Sequence, residues 1–439
     1  MADTGVIAQP QPTPEHRVPA GPSPVAAGER FRSMDVLRGF ALLGILVPNI
    51  FAFAWPQAAM VEPHYMGEIA LLANPQAPIF DTANNIGFGV MSTVFLGKFM
   101  FMFSLLFGAG VCFFDRKTGI EGERTPLSRG AGLWYSRMSW LLVIGLAHAF
   151  GLWFGDILVW YAFTGLTILW WIRRWSPRTL LISGAALYVF GSLLISAFTV
   201  FGMAMVANGT IGPEDLVGDY QAELQVYRDG SYLAMFANRA FVLLFMYIVL
   251  LPLGMLWMVA GIMAGGMGLT KLGVLTGERS NRFYAALAGI GLGLGLPITL
   301  LAYLAIQNAG LDQPGVIWRT IAQPIGIPQA LGFVGLMVLL AKTPAAGAIT
   351  APLAAVGRMA LSNYLLHTLI CTTLFYNYGF GLFGEVQFPA LGGVVVAVWI
   401  VNIVFSLVWL RFFRFGPAEW AWRSLTYFRP QPMLKTRAG

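Results

Sequence analysis

The chain has 439 residues, of which 57% are hydrophobic and 11% charged. A soluble protein carries about 25% charged residues, so this composition excludes an ordinary soluble domain and predicts an all-α, polytopic membrane protein. The formal net charge of +7 does not require nucleic-acid binding, because the basic residues cluster in alternate loops.

The chain divides into an arm, a membrane domain and a tail. Residues 1–30 are rich in Pro, Ala and Gly, which predicts a disordered N-terminal arm rather than a signal peptide. Residues 31–411 are the transmembrane helical domain, with about ten segments long enough to cross a bilayer, and residues 412–439 are a cytoplasmic amphipathic tail. The predicted spans are 34–55, 92–114, 134–154, 157–172, 179–205, 240–268, 283–306, 320–341, 357–377 and 390–411.

The basic residues predict how these spans are oriented. With the N-terminus in the cytoplasm, 23 of the 27 lysines and arginines fall in cytoplasmic segments. Arg228, Arg239 and Arg319 fall outside, and Lys98 lies within a span. Because positive residues accumulate on the cytoplasmic side, the sequence predicts ten spans with both termini in the cytoplasm.

The sequence offers few metal ligands. Cys112 and Cys371 both lie in apolar helical stretches, which argues against a structural disulfide. The histidines and carboxylates form none of the spacings of a metal site. We therefore predict no metal.

The first span carries two polar residues in register. Arg38 lies near its cytoplasmic end, and Asn49 follows eleven residues later. Eleven residues make about 16 Å of helix and bring both side chains to the same face. Polar groups at such depth usually face a cavity or a partner helix, so we expect a site on this face.

The third predicted span repeats this spacing, from Arg137 at the cytoplasmic surface to His148. His148 should therefore lie at about the depth of Asn49. Two interpretations are open. His148 is either a hydrogen-bonded interior histidine that ties two helices together, or a general base, because imidazole titrates near neutrality.

Asp156 follows Gly155 at the start of the fourth predicted span. Its simplest role is the N-cap of that helix, and the alternative is to orient the imidazole of His148. A straight third helix would place Asp156 about 9 Å nearer the outer surface, which weakens the second interpretation.

The remaining polar residues have structural interpretations. We expect His64 on the surface of an outer loop, His367 in a helix–helix contact and Lys98 reaching the outer interface with its amine. The aromatic stretch 415–427 suits a membrane interface, and with Arg423 it would equally suit an anion-binding mouth.

Several motifs together resemble the YeiB family of bacterial inner-membrane proteins, over essentially the whole chain after residue 30. The matching segments are Asp35–Leu46 with Asn49, Leu105–Gly110, His148 with Gly155–Leu158, Gly357–Leu366 and Gly416–Thr426. The resemblance implies a multi-pass protein of the bacterial inner (plasma) membrane.

The first span is also similar to that of two groups of membrane acyltransferases. One group modifies bacterial surface polysaccharides, and the other is the lysosomal heparan glucosaminide acetyltransferase. In the first group an arginine is followed eleven residues later by a histidine, whereas this chain has Arg38 and Asn49. The lysosomal enzyme has its catalytic histidine a little further on, but the residues around His64 do not match, so that role is not transferred.

This resemblance implies an acyltransferase that moves an acyl group, an acetyl group in the simplest case, from cytoplasmic acyl-coenzyme A to a glycan-like or small-molecule acceptor on the other side of the membrane. Asn49 would hold the thioester carbonyl, His148 would deprotonate the acceptor, and Asp156 would orient the imidazole. The predicted donor-binding residues are Arg38, Arg358 and Arg423.

A transporter or channel for a small solute, without acyl chemistry, would need similar polar residues at mid-depth and is the alternative. The predicted partners are the lipid bilayer, acyl-coenzyme A and the extracytoplasmic acceptor, with no nucleic acid. The sequence does not fix the oligomeric state, and a homodimer is compatible with it.

Overall fold

A computed structural model describes residues 32–57, 82–118, 129–212, 218–309 and 313–435. The predicted disordered arm 1–30 and His64 lie outside these ranges. Within them every regular element is a helix, apart from one isolated antiparallel bridge between Phe413 and Leu434. The expectation of an all-α fold is confirmed.

Fourteen helices are described. They are α1 (Arg32–Ala54), α2 (Thr82–Val90, continued by a π-turn to Phe95), α3 (Lys98–Thr118), α4 (Arg129–Gly151), α5 (Leu158–Ile172), α6 (Pro177–Ala207), α7 (Tyr220–Arg228), α8 (Tyr232–Lys271), α9 (Asn281–Ala309), α10 (Gln313–Lys342), α11 (Gly347–Arg358), α12 (Ala360–Phe375), α13 (Phe388–Phe412) and α14 (Pro417–Thr426).

Six of these helical segments are long and apolar enough to cross a membrane, and a bent pair would make seven. The six are α1, the continuous stretch Ile86–Asp115, α6, α8, α9 and α13. The bent pair joins α10 to α11 at an angle of 102°. The other predicted spans correspond to α4 and to the shorter apolar helices α5 and α12.

The ninth predicted span differs from the structure at its beginning. The predicted span runs without a break from residue 357, but α11 ends at Arg358 and α12 begins at Ala360. Met359 between them has φ −115° and ψ 33°, outside the helical region. The helix is therefore interrupted at Met359 instead of running continuously from residue 357.

Helix α1 is the most buried of the long helices and packs against α3, α10, α11 and α12. Its crossing with α11 depends on two glycines. A Cβ on Gly39 would lie 1.8 Å from the carbonyl oxygen of Leu353, and a Cβ on Gly357 would lie 1.9 Å from that of Asp35. Only glycine permits such a close approach of two helix backbones.

We call the end of the bundle where α1 begins the arginine end, and the end where α1 finishes at Ala54 the opposite end. The short helix α7 lies at the opposite end, where Glu223 accepts the backbone N–H of Gln57 at 2.9 Å. Trp55 Nε1 donates to the carbonyl of Val386 at 2.9 Å, and Arg228 pairs with Glu385 at 3.2 Å. These contacts fasten three separate segments over that end.

Candidate functional site

The position of His148 depends on how α4 ends. The carbonyl of His148 accepts the backbone N–H groups of Leu152 and Trp153, at 2.8 and 3.1 Å, and the helix stops at Gly151. Six residues later α5 runs back along α4, so closely that a Cβ on Gly145 would lie 2.8 Å from the backbone N of Val159. The loop 152–157 therefore folds back over the last turn of α4.

This reversal brings Asp156 against His148. Asp156 Oδ2 lies 2.7 Å from His148 Nδ1, and the two residues are 2% and 3% exposed. The other carboxylate oxygen, Oδ1, accepts the N–H of Val159 at 2.8 Å in the first turn of α5. The separation of about 9 Å expected from a straight helix was wrong, because α4 does not continue. Asp156 therefore bonds both to the imidazole and to the first turn of α5, although the N-cap position itself is Ile157.

Thr368 completes this chain of hydrogen bonds. Its Oγ1 lies 2.9 Å from His148 Nε2. When Asp156 is ionised, its carboxylate can only accept, so Nδ1 carries the imidazole proton and Nε2 accepts the Thr368 hydroxyl. A hydroxyl, an imidazole and a carboxylate in this order form the constellation that activates an oxygen nucleophile.

Tyr364, one turn before Thr368 on α12, covers the imidazole. Its ring centroid lies 5.1 Å from that of His148, and its hydroxyl accepts the N–H of Ile157 at 3.3 Å. Sequence analysis missed both Tyr364 and Thr368 as site residues. The only available signal was that the two residues are four positions apart and therefore share one face of a helix. Tyr364 lies in the matching segment Gly357–Leu366, and Thr368 follows in the next turn.

Asn49 lies in the last two turns of α1 and is half-buried. The hydrogen-bond partners of His148 come from the loop 152–157 and from α12, not from α1. Trp153 forms the link between the two regions, because its ring stacks on Phe53 at 4.0 Å and lies 6.5 Å from the imidazole. Asn49 and His148 therefore lie at the same end of the bundle without a direct hydrogen bond.

Several arginines lie at the arginine end of the bundle. Arg38 lies 3.5 Å from Asp35, and Arg423, on α14, lies over the ring of Phe415 at 4.6 Å. Both are close enough to Arg137 for their charges to repel its guanidinium. The structure thus brings two of the three predicted donor-binding arginines together around Arg137, which had been considered only for its spacing to His148.

Arg358 ends α11 and is half-buried. Its neighbour Gly357 contacts the backbone of Asp35, so Arg358 lies at the same end of the bundle as Arg38.

Helix α14 holds this group in place. The guanidinium of Arg137 stacks on Trp422, with Cζ 3.7 Å from the ring centroid, and Trp422 Nε1 donates to the carbonyl of Arg137 at 2.8 Å. The carboxylate of Glu419 accepts the backbone N–H of Leu361 at 2.6 Å and of Ser362 at 3.2 Å. Both N–H groups belong to the first turn of α12, where they have no partner within the helix. Burial raises the pKa of the Glu419 carboxyl above its ordinary value.

Two other predicted roles do not match the contacts. Lys98 is buried and its amine donates to the carbonyl of Ser92 at 2.9 Å, so the expectation that the amine reaches the interface was wrong. His367 is buried as expected, but its Nε2 has no hydrogen-bond partner among the described residues. In the same ranges, no cluster of three or more His, Cys, Asp or Glu side chains is placed to hold a metal ion.

The fold and the site define a class: an all-helical protein with at least six helices able to cross a membrane and a buried Thr–His–Asp chain between its helices. Within that class, the chain belongs to the YeiB family. It is 33% identical to "Uncharacterized protein YeiB" of Escherichia coli (strain K12), over 92% of this chain and 98% of that protein. It is 30% identical to "Uncharacterized protein YxaH" of Bacillus subtilis (strain 168), over 94% and 98% of the two chains.

The model of the family described as "Protein of unknown function (DUF418)" matches residues 269–429. That range contains Thr368, Arg358 and Arg423 but begins after His148. No solved structure matches this chain.

Proposed function

We propose that this protein is a membrane acyltransferase that moves an acyl group from cytoplasmic acyl-coenzyme A to an acceptor on the other side of the membrane. The observation that carries the proposal is the hydrogen-bonded chain of Thr368, His148 and Asp156, at 2.9 and 2.7 Å. A buried imidazole with a carboxylate on one nitrogen and a hydroxyl on the other has the arrangement of a general base.

In the proposed reaction, the acceptor hydroxyl or amine takes the place of the Thr368 hydroxyl at His148 Nε2. The imidazole removes its proton while the acceptor oxygen or nitrogen attacks the thioester carbonyl carbon. The C–S bond then breaks, and the coenzyme A thiolate takes the proton back from the imidazolium. Asp156 stabilises the charged imidazole between these two steps.

The arginine end supports the donor half of this proposal. The guanidinium groups of Arg38 and Arg423 each lie close enough to that of Arg137 to repel it, which favours an anion beside Arg137. Phosphate groups suit guanidinium geometry, and the phosphates of coenzyme A would bind there. The pantetheine arm would then extend along α1 toward Asn49, whose amide N–H groups would hold the thioester carbonyl.

The proposed topology has ten spans, both termini in the cytoplasm and the bacterial inner membrane as the location. It is supported by the charge asymmetry, because 23 of 27 basic residues would be cytoplasmic. In this orientation the arginine end faces the cytoplasm and binds the acyl donor, while α7 and the opposite end face the side of the membrane where the acceptor is. A homodimer is compatible with this arrangement, which does not require one.

Transport of a small solute is the second candidate, and one observation favours it. His367 on α12 and Asn402 on α13 are both buried, yet His367 Nε2 and both polar atoms of the Asn402 amide have no partner among the described residues. Unpaired polar atoms between two helices that suit a membrane interior are a feature of solute pathways.

Thermal unfolding in detergent tests the donor half. Acetyl-coenzyme A and free coenzyme A should stabilise the protein more than ATP does, and a ligand at 100 times its dissociation constant adds about 2.7 kcal/mol. Arg137→Gln should reduce this shift, whereas Arg279→Gln, a control whose arginine donates to the carbonyl of Leu272, should not. If no acyl-coenzyme A of any chain length shifts the transition, transport becomes the better proposal.

A further inference from the structure

Arg239, on α8, is a buried guanidinium at the opposite end of the bundle, with only 1% of its surface exposed. Its Nε and Nη2 donate to the carbonyls of Phe150 and Gly151, both at 3.3 Å. Its Nη1 has no hydrogen-bond partner in the described ranges, and none of the ion pairs formed there includes it. A buried cation without a counter-charge is strongly unfavourable.

The end of α4 compensates only part of this charge. The carbonyls of Phe150 and Gly151 belong to the last turn of that helix, where the helix dipole amounts to about half a negative charge. These carbonyls also use only two of the three guanidinium nitrogens. Anchoring the end of α4 therefore explains the hydrogen bonds of Nε and Nη2. Apart from the ring of Tyr232, whose centroid lies 5.4 Å from Cζ, no described group is left for Nη1 and for about half of the positive charge.

Tyrosine side chains lie near the guanidinium of Arg239, whose Nη1 is the remaining donor. Tyr376 is completely buried, and its hydroxyl also has no hydrogen-bond partner among the described residues. The rings of Tyr227 and Tyr376 lie 4.6 Å apart. The Tyr227 hydroxyl interacts with both the guanidinium and the Tyr376 hydroxyl, yet Nη1 and the Tyr376 hydroxyl have no partner of acceptable hydrogen-bond geometry among the described residues.

Two donors that have no partner among the described residues, beside a positive charge that no described carboxylate pairs with, fit one kind of ligand group. A carboxylate or a phosphate accepts hydrogen bonds from guanidinium and hydroxyl groups and supplies the missing negative charge. A bound water would satisfy the donors but would not neutralise the positive charge of Arg239. Water and an oxyanion therefore give different results in a binding experiment.

This cluster is close to the Thr–His–Asp chain. Gly151 lies three residues after His148 on α4, and Tyr376 lies eight residues after Thr368. These separations correspond to roughly 5 and 12 Å along a helix. A molecule bound at Arg239 would thus extend over one to two helical turns to reach His148 Nε2.

We propose that Arg239 and the hydroxyls of Tyr376 and Tyr227 form a subsite that binds a carboxylate or phosphate group of the acceptor. The acceptor role rests on the proposed acyltransferase function, but the binding of an oxyanion does not. The substrate class is then an anionic acceptor, whose hydroxyl or amine lies about 5–12 Å from its charged group.

The test measures thermal unfolding of the detergent-purified full chain in inorganic phosphate and in glucuronate, against chloride and uncharged glucose at matched ionic strength. Phosphate and glucuronate distinguish a phosphate-bearing from a carboxylate-bearing acceptor. At least one should stabilise the protein saturably, and Arg239→Gln should weaken its apparent affinity at least tenfold. The control Arg228→Gln changes an arginine that already pairs with Glu385 at the same end, and it should leave the affinity within about twofold.

Tyr376→Phe gives a result that a purely structural role would not. Because the hydroxyl is buried and unpaired, its removal should raise the unfolding temperature of the ligand-free protein while it weakens oxyanion affinity several-fold. This variant also keeps the test valid if Arg239→Gln does not fold. The proposal is overturned if both oxyanions act no differently from chloride, or if Tyr376→Phe and any folded Arg239→Gln bind them as the unaltered protein does.

Failure of this subsite is distinguishable from failure of the acyltransferase proposal. Arg239→Gln should leave stabilisation by coenzyme A unchanged, because that ligand binds at the arginine end. Arg137→Gln should leave the glucuronate effect unchanged. If the coenzymes have no effect but the Arg239-dependent oxyanion effect persists, the subsite stands without acyl transfer.

Discussion

Replacing Asp156 by Asn removes the negative charge beside His148 and keeps the size of the side chain. Asp156 Oδ2 and His148 Nδ1 are 2.7 Å apart in a nearly water-free environment. A hydrogen bond to a charged group contributes roughly 1.5–3 kcal/mol, and this contribution is greatest when the imidazole carries the extra proton. Loss of about 3 kcal/mol from the transition state slows a reaction by a factor of roughly 100.

A second effect adds to the first. The amide of an asparagine can donate to Nδ1, which moves the imidazole proton to Nε2 and prevents that nitrogen from accepting a proton from the acceptor. General-base catalysis contributes factors of roughly 10² to 10⁴. We therefore expect Asp156→Asn to lower the rate by about 10²- to 10⁴-fold. The fold should be retained, because an asparagine oxygen can still accept the N–H of Val159.

The assay follows release of the free coenzyme A thiol from acetyl-coenzyme A in membrane vesicles supplied with cell-envelope extract, which does not require a known acceptor. Asp115→Asn is the matched control, because Asp115 forms a similar charged hydrogen bond, 2.8 Å from Arg173 Nε, away from His148. The control should stay within about threefold of the unaltered protein. If Asp156→Asn also stays within threefold while His148→Ala is inactive, the reasoning about the carboxylate is refuted.

Two further predictions concern stability. Burial raises the pKa of Glu223 to about 7, so the folded state holds this proton to higher pH than the unfolded chain; stability should fall between pH about 4.5 and about 7, by up to about 1.4 kcal/mol per pH unit. Glu223→Gln should reduce the dependence of the unfolding temperature on pH over this range, and Glu385→Gln should not. Equal slopes of unfolding temperature against pH in the unaltered protein and in both variants would contradict this. A Cβ on Gly357 would lie 1.9 Å from the Asp35 carbonyl oxygen, so Gly357→Ala should force α1 and α11 apart and lower the unfolding temperature by several degrees. Gly289→Ala, where nothing lies within 4 Å, should be neutral or stabilising, and similar losses in both variants would refute the packing argument.

The sequence predicts the helical fold because apolar periodicity and segment length are local properties. It also predicts how far His148 lies from Arg137 along the helix, since eleven-residue spacing relates depth to sequence on a regular helix. The pairing of His148 with Asp156 was underestimated, because the argument assumed that α4 continued. Gly151 and Gly155 were the available signals that the chain reverses there.

The remaining contacts depend on tertiary packing, which cannot be deduced from one sequence. Thr368 lies 220 residues from His148, and Arg423 reaches Arg137 only because α14 packs back against α4. Arg239 appeared in the sequence only as one of three basic residues outside the cytoplasmic segments. Its burial against the end of α4, with an unpaired nitrogen, required the positions of α7, α8 and α12 together.

The central claim is tested most directly by transfer of radiolabelled acetyl groups across the membrane. Labelled acetyl-coenzyme A is supplied to the cytoplasmic face of everted vesicles that enclose cell-envelope extract. We predict that label appears in the enclosed material with the unaltered protein, and that His148→Ala abolishes transfer but keeps its stabilisation by coenzyme A. Equal transfer by His148→Ala, or no transfer from any acyl-coenzyme A by a protein that coenzyme A stabilises, would contradict the assignment of His148 as the base of an acyltransferase.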